Sequence, residues 1–258
     1  MRVIPVLDVA GGRAVRASGG RRECYPPLRS VFTDAGTVGD ALAVARAYRD
    51  RLACRECYVA DLDAIAGRPV DGRLIGALAG LGLALLVDAG VADPERARDL
   101  VAAGARRVVV GLETLPRVGT LARVVRALGS ERVVFSLDLR DGTPLGAAAR
   151  HAATTPLELA RAAWNAGARA VLVLDLARVG SGRGMDRRLL ATLRRALPRA
   201  ELLAGGGIAG AEELEPLAQL GLDGVLVASA LHDGRLTRRD MAVAGRPAGR
   251  CAHSSDSR

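Results

Sequence analysis

Two aspartates stand where buried strand patterns run out. "VIPVLD" ends at Asp8 and "VVFSLD" ends at Asp138. A carboxylate at the end of a core strand caps a loop, pairs with a nearby arginine (Arg13, Arg16 and Arg140 are at hand), or does chemistry. Two of them across one cleft could serve as general acid and general base on a single substrate. Burial and mutual repulsion would lift one pKa and leave the other group ionised. A glycine run points to the charge of that substrate. "LLAGGGIAGAEEL" puts Gly205, Gly206 and Gly207 after a strand run and close before a helix pattern. Bare backbone N–H groups at such a turn cradle a phosphate. A tight turn accounts for one glycine and not for three. "LVASALHDG" adds the N–H groups of Ala228 and Ser229.

These residues must be positioned by strands. Apolar runs recur as VIPVLD, CYVADLD, LALLVDAG, RRVVVG, VVFSLD, AVLVLD, ELLAGGG and DGVLVAS. They do not alternate with polar residues, as expected of strands covered on both faces. Helical patterns lie between them. Residues 93–104 carry Asp93 as N-cap, Pro94 in the first turn and Gly104 as stop, and 155–167 repeat the formula with Thr155, Pro156 and Gly167. A third pattern, 210–221, has Pro216 in its middle. Eight strand–helix units with no second domain left over predict an α/β fold, a (βα)8 TIM barrel, over residues 1–245. An open doubly wound sheet would want a glycine-rich turn after the first strand, and "VLDVAGGRA" is a poor one. The tail 246–258, RPAGRCAHSSDSR, lacks apolar periodicity and is expected to be disordered.

The two halves also resemble each other. Asp8 matches Asp138 at an offset of 130 residues, and Asp61 in "VADLDAIAG" matches Asp175 in "LVLDLARVG" at 114. Gly90 in "LLVDAGVADPE" matches Gly207, and Gly111 matches Ala228, both at 117. An internal half-barrel duplication follows. In a closed eight-stranded barrel it sets strands 1 and 5, and therefore the two aspartates, across from each other at the C-terminal mouth. The first-half counterpart of the phosphate loop is Asp88-Ala89-Gly90, whose carboxylate would repel an anion. Gly111–Thr114 still offers N–H groups and a hydroxyl. Asp61, Gly90, Gly111, Thr114 and Asp175 are therefore candidates for a second anion or substrate contact.

Composition closes several routes. Half of the 258 residues are hydrophobic, enough for a large core. All 37 basic residues are arginine, which excludes a Schiff-base lysine, a pyridoxal-phosphate aldimine and a P-loop lysine. The net charge of +9 suits an anionic small molecule. Two Phe, three Tyr and one Trp leave almost no stacking platform for nucleic acid. The longest apolar stretch, 74–87, is short for a membrane span, and no signal-peptide pattern precedes the first strand, so a cytoplasmic protein is expected. Cys54 and Cys57 form a lone CxxC; read as core-edge residues, Cys54 ends a helix and Cys57 opens a strand. Neither they nor the histidines have metal-ligand spacing. Nothing in the sequence speaks to oligomeric state.

With those motifs in place, the chain resembles the histidine-biosynthesis barrels. These are the ProFAR isomerase and its sister, the cyclase subunit of imidazole glycerol phosphate synthase. "VIPVLDVAGGRAVRA", "VADLDAIAG", "FSLDLRDG" and "LLAGGGIAGAEEL" carry the resemblance, which spans about residues 1–240. It implies an Amadori rearrangement of a phosphorylated aminoaldose to an aminoketose, without metal or organic cofactor. Asp8 would be the base at C2 and Asp138 the acid at the ring oxygen. The chain departs from the isomerase pattern after strand 6. Leu174 stands at the catalytic Thr position and Val179 at an Asp position, while Gly180 and Ser181 keep the turn. Ala228-Ser229 replaces the usual Gly-Arg. "ECYPPLRS" and "DLARVGSGRG" look more like an isomerase-related branch from organisms with tetrahydromethanopterin-linked one-carbon metabolism. Two readings follow: an isomerase-like enzyme on a phosphorylated small molecule, and a phosphate-ligand-binding barrel that has lost the chemistry.

Overall fold

The structure is a computed structural model that describes residues 1–20, 22–150 and 154–244. The expected tail and the domain end at 245 lie outside the described residues. Eight strands form the staves of a barrel: β1 (Arg2–Ala10), β2 (Glu56–Asp61), β3 (Ala84–Asp88), β4 (Arg107–Gly111), β5 (Val133–Arg140), β6 (Ala170–Asp175), β7 (Glu201–Gly205) and β8 (Gly224–Val227). Each pairs in parallel with the next, and β8 pairs in parallel with β1. The sheet is therefore closed, as a (βα)8 barrel requires, and the open-sheet alternative is excluded.

The connecting helices start at short polar caps. Asp40, Asp71, Asp93 and Asp186 each accept a hydrogen bond from the backbone N–H three residues on, which satisfies a donor that the first helical turn leaves free. Thr155 and Glu158 form a full capping box before Pro156–Asn165. The patterns at 93–104 and 155–167 become Pro94–Ala102 and Pro156–Asn165. The third is shorter than its pattern: a 3-10 turn at Ala211–Glu213 precedes the α-helix Leu214–Gln219. Pro216 falls in the first turn of that helix, where a missing N–H costs nothing. The apolar stretch 74–87 divides between the helix Gly72–Ala79 and β3. Cys54 corrects an expectation. The helix Ala41–Asp50 ends earlier, Ala53 takes a left-handed conformation, and Cys54 lies in the connection, while Cys57 is the buried second residue of β2. Among the described residues no helix is long and apolar enough to cross a membrane.

One face of each strand packs under the helices through residues such as Leu7, Val59, Val87, Val110, Phe135 and Val171. The other face fills the barrel with Ile4, Tyr58, Leu86, Val109, Val134, Leu172, Leu203 and Leu226. Burial on both faces is why the strands show no alternation. Strand side chains repeat every two residues, so the inward positions nearest the C-terminal rim are Asp8, Ala60, Asp88, Gly111, Asp138, Leu174, Gly205 and Ala228. Register ties these together by halves. Asp8 is level with Ala60 and Ala60 with Asp88; Asp138 is level with Leu174 and Leu174 with Gly205.

The opposite rim is closed by charge. Arg2 at the start of β1 pairs with Glu56 of β2 (3.0 Å) and with Glu201 of β7, which also holds Arg107 of β4 (2.8 Å). Partial burial raises the pKa of Glu201, but the two arginines outweigh it and hold the carboxyl below its usual value. A depressed carboxyl stabilises the fold above its unfolded pKa of about 4.3, and that contribution fades as pH falls through the folded value. Glu201→Gln should therefore lower stability at neutral pH by about 1 kcal/mol after solvent screening. Denaturant titration at neutral pH and near pH 3 should show the wild-type advantage only at the higher pH. An equal advantage at both would mean that packing, not charge, holds this rim.

Candidate active site at the barrel mouth

The strands that carry the two aspartates run past them. β1 continues to Ala10 and returns as the short strand Arg13–Val15 across the two-residue turn Gly11-Gly12. β5 continues to Arg140 and returns as Thr143–Pro144 across Asp141-Gly142. The expected strand ends at Asp8 and Asp138 are thus two residues early. Each carboxylate instead points inward from a strand stiffened by its own hairpin. β1 and β5 are four staves apart in the closed barrel, and Asp8 and Asp138 line one pocket at its C-terminal mouth.

Asp138 is only 4 % exposed. Ser136 Oγ donates to its Oδ1 at 2.5 Å and the Glu113 N–H donates to its Oδ2 at 3.0 Å. Gly111 makes room for it, since a Cβ there would lie 2.9 Å from Asp138 Oδ2. Burial, then the nearby Asp88, push Asp138 up to about 7 against the pull of those two donors. Asp8 accepts no hydrogen bond among the described residues. Burial raises it to about 7, with Arg22 opposing and Asp88 assisting. Asp88 accepts from Tyr58 Oη at 3.1 Å and from the Gly90 N–H at 3.4 Å. Burial lifts it to about 6, with those donors and Arg22 holding it down. Arg22 spans the mouth from the turn Arg22–Cys24 and donates to both carboxylate oxygens of Glu113 at 3.2 and 2.6 Å.

The other side of the mouth is built of backbone. The N–H groups of Gly206, Gly207 and Ile208 donate to no protein acceptor among the described residues, although Gly207 and Ile208 are buried. Buried N–H groups without partners are rare, and they suit a bound anion. Gly206 and Gly207 have φ of +98° and +97°, and a Cβ would meet the Asp175 and Gly184 carbonyl oxygens at 2.7 and 2.8 Å, so glycine is required at both. Ala228 and Ser229 line the same wall. Arg235 stands beside them, donating to the Ala209 carbonyl at 2.7 Å. Gly180 lines the rim, where the loop after β6 meets the loop after β1 through the Gly19 N–H and the Val179 carbonyl at 2.9 Å.

The pocket wall brings together Asp8, Asp138, Gly206, Gly207, Ala228, Ser229 and Gly180. It does not include the other candidates. Gly205 ends β7 beneath Leu174, whose Cδ1 would lie 2.9 Å from a Cβ there. Asp61 caps the short helix Leu62–Ile65 and accepts from the Asp71 N–H. Asp175 accepts from the N–H groups of Asp141, Gly142 and Ala177, fixing the β5 hairpin turn. Gly90 packs on the Ala64 carbonyl, Thr114 donates to the Gly111 carbonyl, and Ser181 donates to that of Arg178. Sequence reasoning missed Arg22, Tyr58, Glu113 and Arg235 as wall residues. Tyr58 was within reach of the two-residue period; the other three sit on loops, which have no period to read. Among the described residues no group of three or more His, Cys, Asp or Glu is arranged to hold a metal.

The raised pKa of Asp8 has a stability consequence. The folded state binds its proton more tightly than the unfolded chain, whose value is about 3.9, so stability falls as pH rises from about 4 to about 7. Asp8→Asn removes that loss. Its Tm should exceed that of wild type by several degrees at about pH 8, and the gain should vanish below about pH 4. A variant no more stable at the higher pH would place the carboxylate in water.

Comparison with known proteins follows the same outline. Residues 2–237 match the family of histidine biosynthesis proteins. A ProFAR isomerase of Thermus thermophilus is 32% identical over 242 residues, covering 93% of this chain and 98% of the relative. That of Deinococcus radiodurans is 34% identical over 242 residues, covering 91% and 95%. An uncharacterised protein of Methanocaldococcus jannaschii is 30% identical over 245 residues, covering 92% and 95%. A closed (βα)8 barrel with these matches over nearly its whole length belongs to the histidine biosynthesis protein family.

Proposed function

We propose that the chain is an aldose–ketose isomerase of the ProFAR isomerase type, acting on a phosphorylated aminosugar. The observation that carries this reading is the pair Asp8 and Asp138. Both lie near pKa 7, on opposed staves of one pocket, beside a wall of N–H groups that have no protein acceptor among the described residues. The relatives named as isomerases support it.

In this reading Gly206, Gly207, Ile208 and Ser229 hold the phosphate through their N–H groups, and Arg235 supplies a positive charge. Asp138, protonated, gives its proton to the furanose ring oxygen. The C1–O bond breaks as the nitrogen lone pair forms the imine. Asp8, ionised and without a competing donor among the described residues, takes the C2 proton. The electron pair moves into the C1–C2 bond and gives the enolamine, which tautomerises to the aminoketose. No net oxidation occurs. Ser136 and the Glu113 N–H orient the acid. A pKa near 7 suits both roles, because each group must change protonation state at neutral pH. We place the reaction in the cytoplasm, with a phosphorylated small molecule as the partner.

A second reading keeps the ligand and drops the reaction: a phosphate-binding barrel of tetrahydromethanopterin-linked metabolism. Leu174 favours it, because it brings a methyl group where the isomerase pattern has a hydroxyl. The carboxylate of Asp8 favours the enzyme, since it accepts no hydrogen bond among the described residues and a binder gains nothing from such a group.

Two measurements test the proposal. Wild type should convert ProFAR slowly, and Asp8→Asn and Asp138→Asn should each lower that turnover by about 10²–10⁴-fold while binding is kept. The pH dependence of kcat/KM should be bell-shaped, with both apparent values of the pair near 7. Unchanged turnover in Asp138→Asn would sink the acid role, and phosphate binding without any turnover by wild type would point to the second reading. Ser229→Asp should abolish binding of inorganic phosphate with the barrel intact, and Arg235→Ala should weaken it by about tenfold. Phosphate affinity untouched by Ser229→Asp would move the phosphate site elsewhere.

A further inference from the structure

The two halves of the mouth are copies that have diverged in charge. Register makes Asp88 the counterpart of Gly205: each is level with the inward residue of the preceding stave, Ala60 in one half and Leu174 in the other. The second half leaves the Gly207 and Ser229 N–H groups open, and the first half has used their counterparts at Gly90 and Leu112. The Leu112 N–H donates to the Ser136 carbonyl at 2.9 Å, the Glu113 N–H to Asp138 at 3.0 Å and the Gly90 N–H to Asp88 at 3.4 Å. Their counterparts at an offset of 117 include Ser229 and Gly207, for which no protein acceptor exists among the described residues. Among the described residues, the first-half end of the pocket also carries two carboxylates, Asp88 and Glu113, against one cation. That cation, Arg22, is engaged by both oxygens of Glu113. Asp88 is left with two neutral donors, Tyr58 Oη and the Gly90 N–H.

We propose that the pocket end formed by Asp88, Tyr58 and Glu113 takes a cationic nitrogen group, an ammonium or amidinium, and not a second phosphate. The ligand is then asymmetric, with a phosphate on the β7–β8 side of the mouth and a positively charged nitrogen on the β3–β4 side. Asp88 is the residue that determines the choice. A second phosphate would meet the Asp88 carboxylate where the second half has Gly205, and the Gly90, Leu112 and Glu113 N–H groups are spent within the protein. A cation there gains a charge-assisted hydrogen bond to Asp88 and to the free lone pairs of Glu113. This inference rests on the phosphate wall described above, and it names what the aminosugar nitrogen carries at its far end.

The test is a set of linear alkyl monophosphates of increasing chain length, each ending in a hydroxyl, an amine or a second phosphate. Calorimetry with the full chain reads their affinities. At the length that spans the mouth, the amine should bind about tenfold more tightly than the hydroxyl, and the second phosphate more weakly than the hydroxyl. Asp88→Asn keeps an acceptor for Tyr58 Oη and removes the charge, so it should erase the amine preference while leaving inorganic phosphate binding unchanged. Circular dichroism of the variant reports its folding. An amine no better than the hydroxyl at any length, or a preference that survives Asp88→Asn, overturns the inference alone. A bisphosphate bound as tightly as the amine also overturns it, and would mean that Arg22 leaves Glu113 for the anion. Failure of inorganic phosphate to bind wild type overturns the phosphate wall and this inference together.

Discussion

Desolvation of three carboxylates at one rim is the constraint around which the rest of this molecule is arranged. A closed barrel removes water from its interior, and an inward side chain at the last layer has aliphatic packing beneath it and only a narrow opening above. Asp8, Asp88 and Asp138 occupy that layer, and burial is the largest influence on each. A carboxylate there either finds donors or holds its proton. Asp138 does some of both, with Ser136 and the Glu113 N–H fixing its orientation while its pKa stays near 7. Asp88 has donors from Tyr58 and Gly90 and lies lower. Asp8 has none among the described residues, and its proton is held by burial, with Asp88 assisting and Arg22 opposing. The three groups differ in their hydrogen-bond donors, on staves of nearly the same geometry.

That cost in stability needs a frame that does not give way. The frame is the duplicated hairpin at the head of each half. β1 and β5 extend beyond their aspartates, turn in two residues and pair back on themselves, so each carboxylate stands on a two-stranded ribbon instead of a fraying end. The turns are tied down by further carboxylates: Asp63 accepts from the Gly11 N–H in the first half, and Asp175 from the Asp141 and Gly142 N–H groups in the second. Asp175 thus serves the site by positioning. At the far rim, Arg2, Glu56, Arg107 and Glu201 tie together staves from both halves, away from the mouth. Ion pairs tie one end of the barrel together, whereas Asp8, Asp88 and Asp138 at the other form none among the described residues.

Divergence between the copies makes the two sides of the mouth unlike in charge. The same strand-end position is glycine in one half and aspartate in the other. The exchange puts a carboxylate on one side of the mouth where the other side has a bare glycine. Leu174 against Ala60 is the matching change on the neighbouring stave, placing bulk above the glycine side.

The amino-acid sequence by itself determined the barrel, its eight staves, the duplication and the placement of Asp8 and Asp138. Each of these rests on local, periodic signals: apolar runs of strand length, capped helices between them, and offsets that repeat. It also pointed to Gly206 and Gly207, together with Gly205, which the structure places beneath Leu174 and off the pocket wall. Only the tertiary structure decided which polar residues face the pocket and which serve the scaffold. Asp61, Asp175 and Thr114 look in sequence like site residues, yet each spends its oxygens on a nearby turn or helix start. Arg22, Glu113 and Arg235 look like ordinary surface charges, yet loop closure brings them to the mouth. Loop residues have no period, and the partner of a polar group is set by chain segments far away in sequence. Arg22 and Glu113 are 91 residues apart, and nothing short of the closed barrel brings them together.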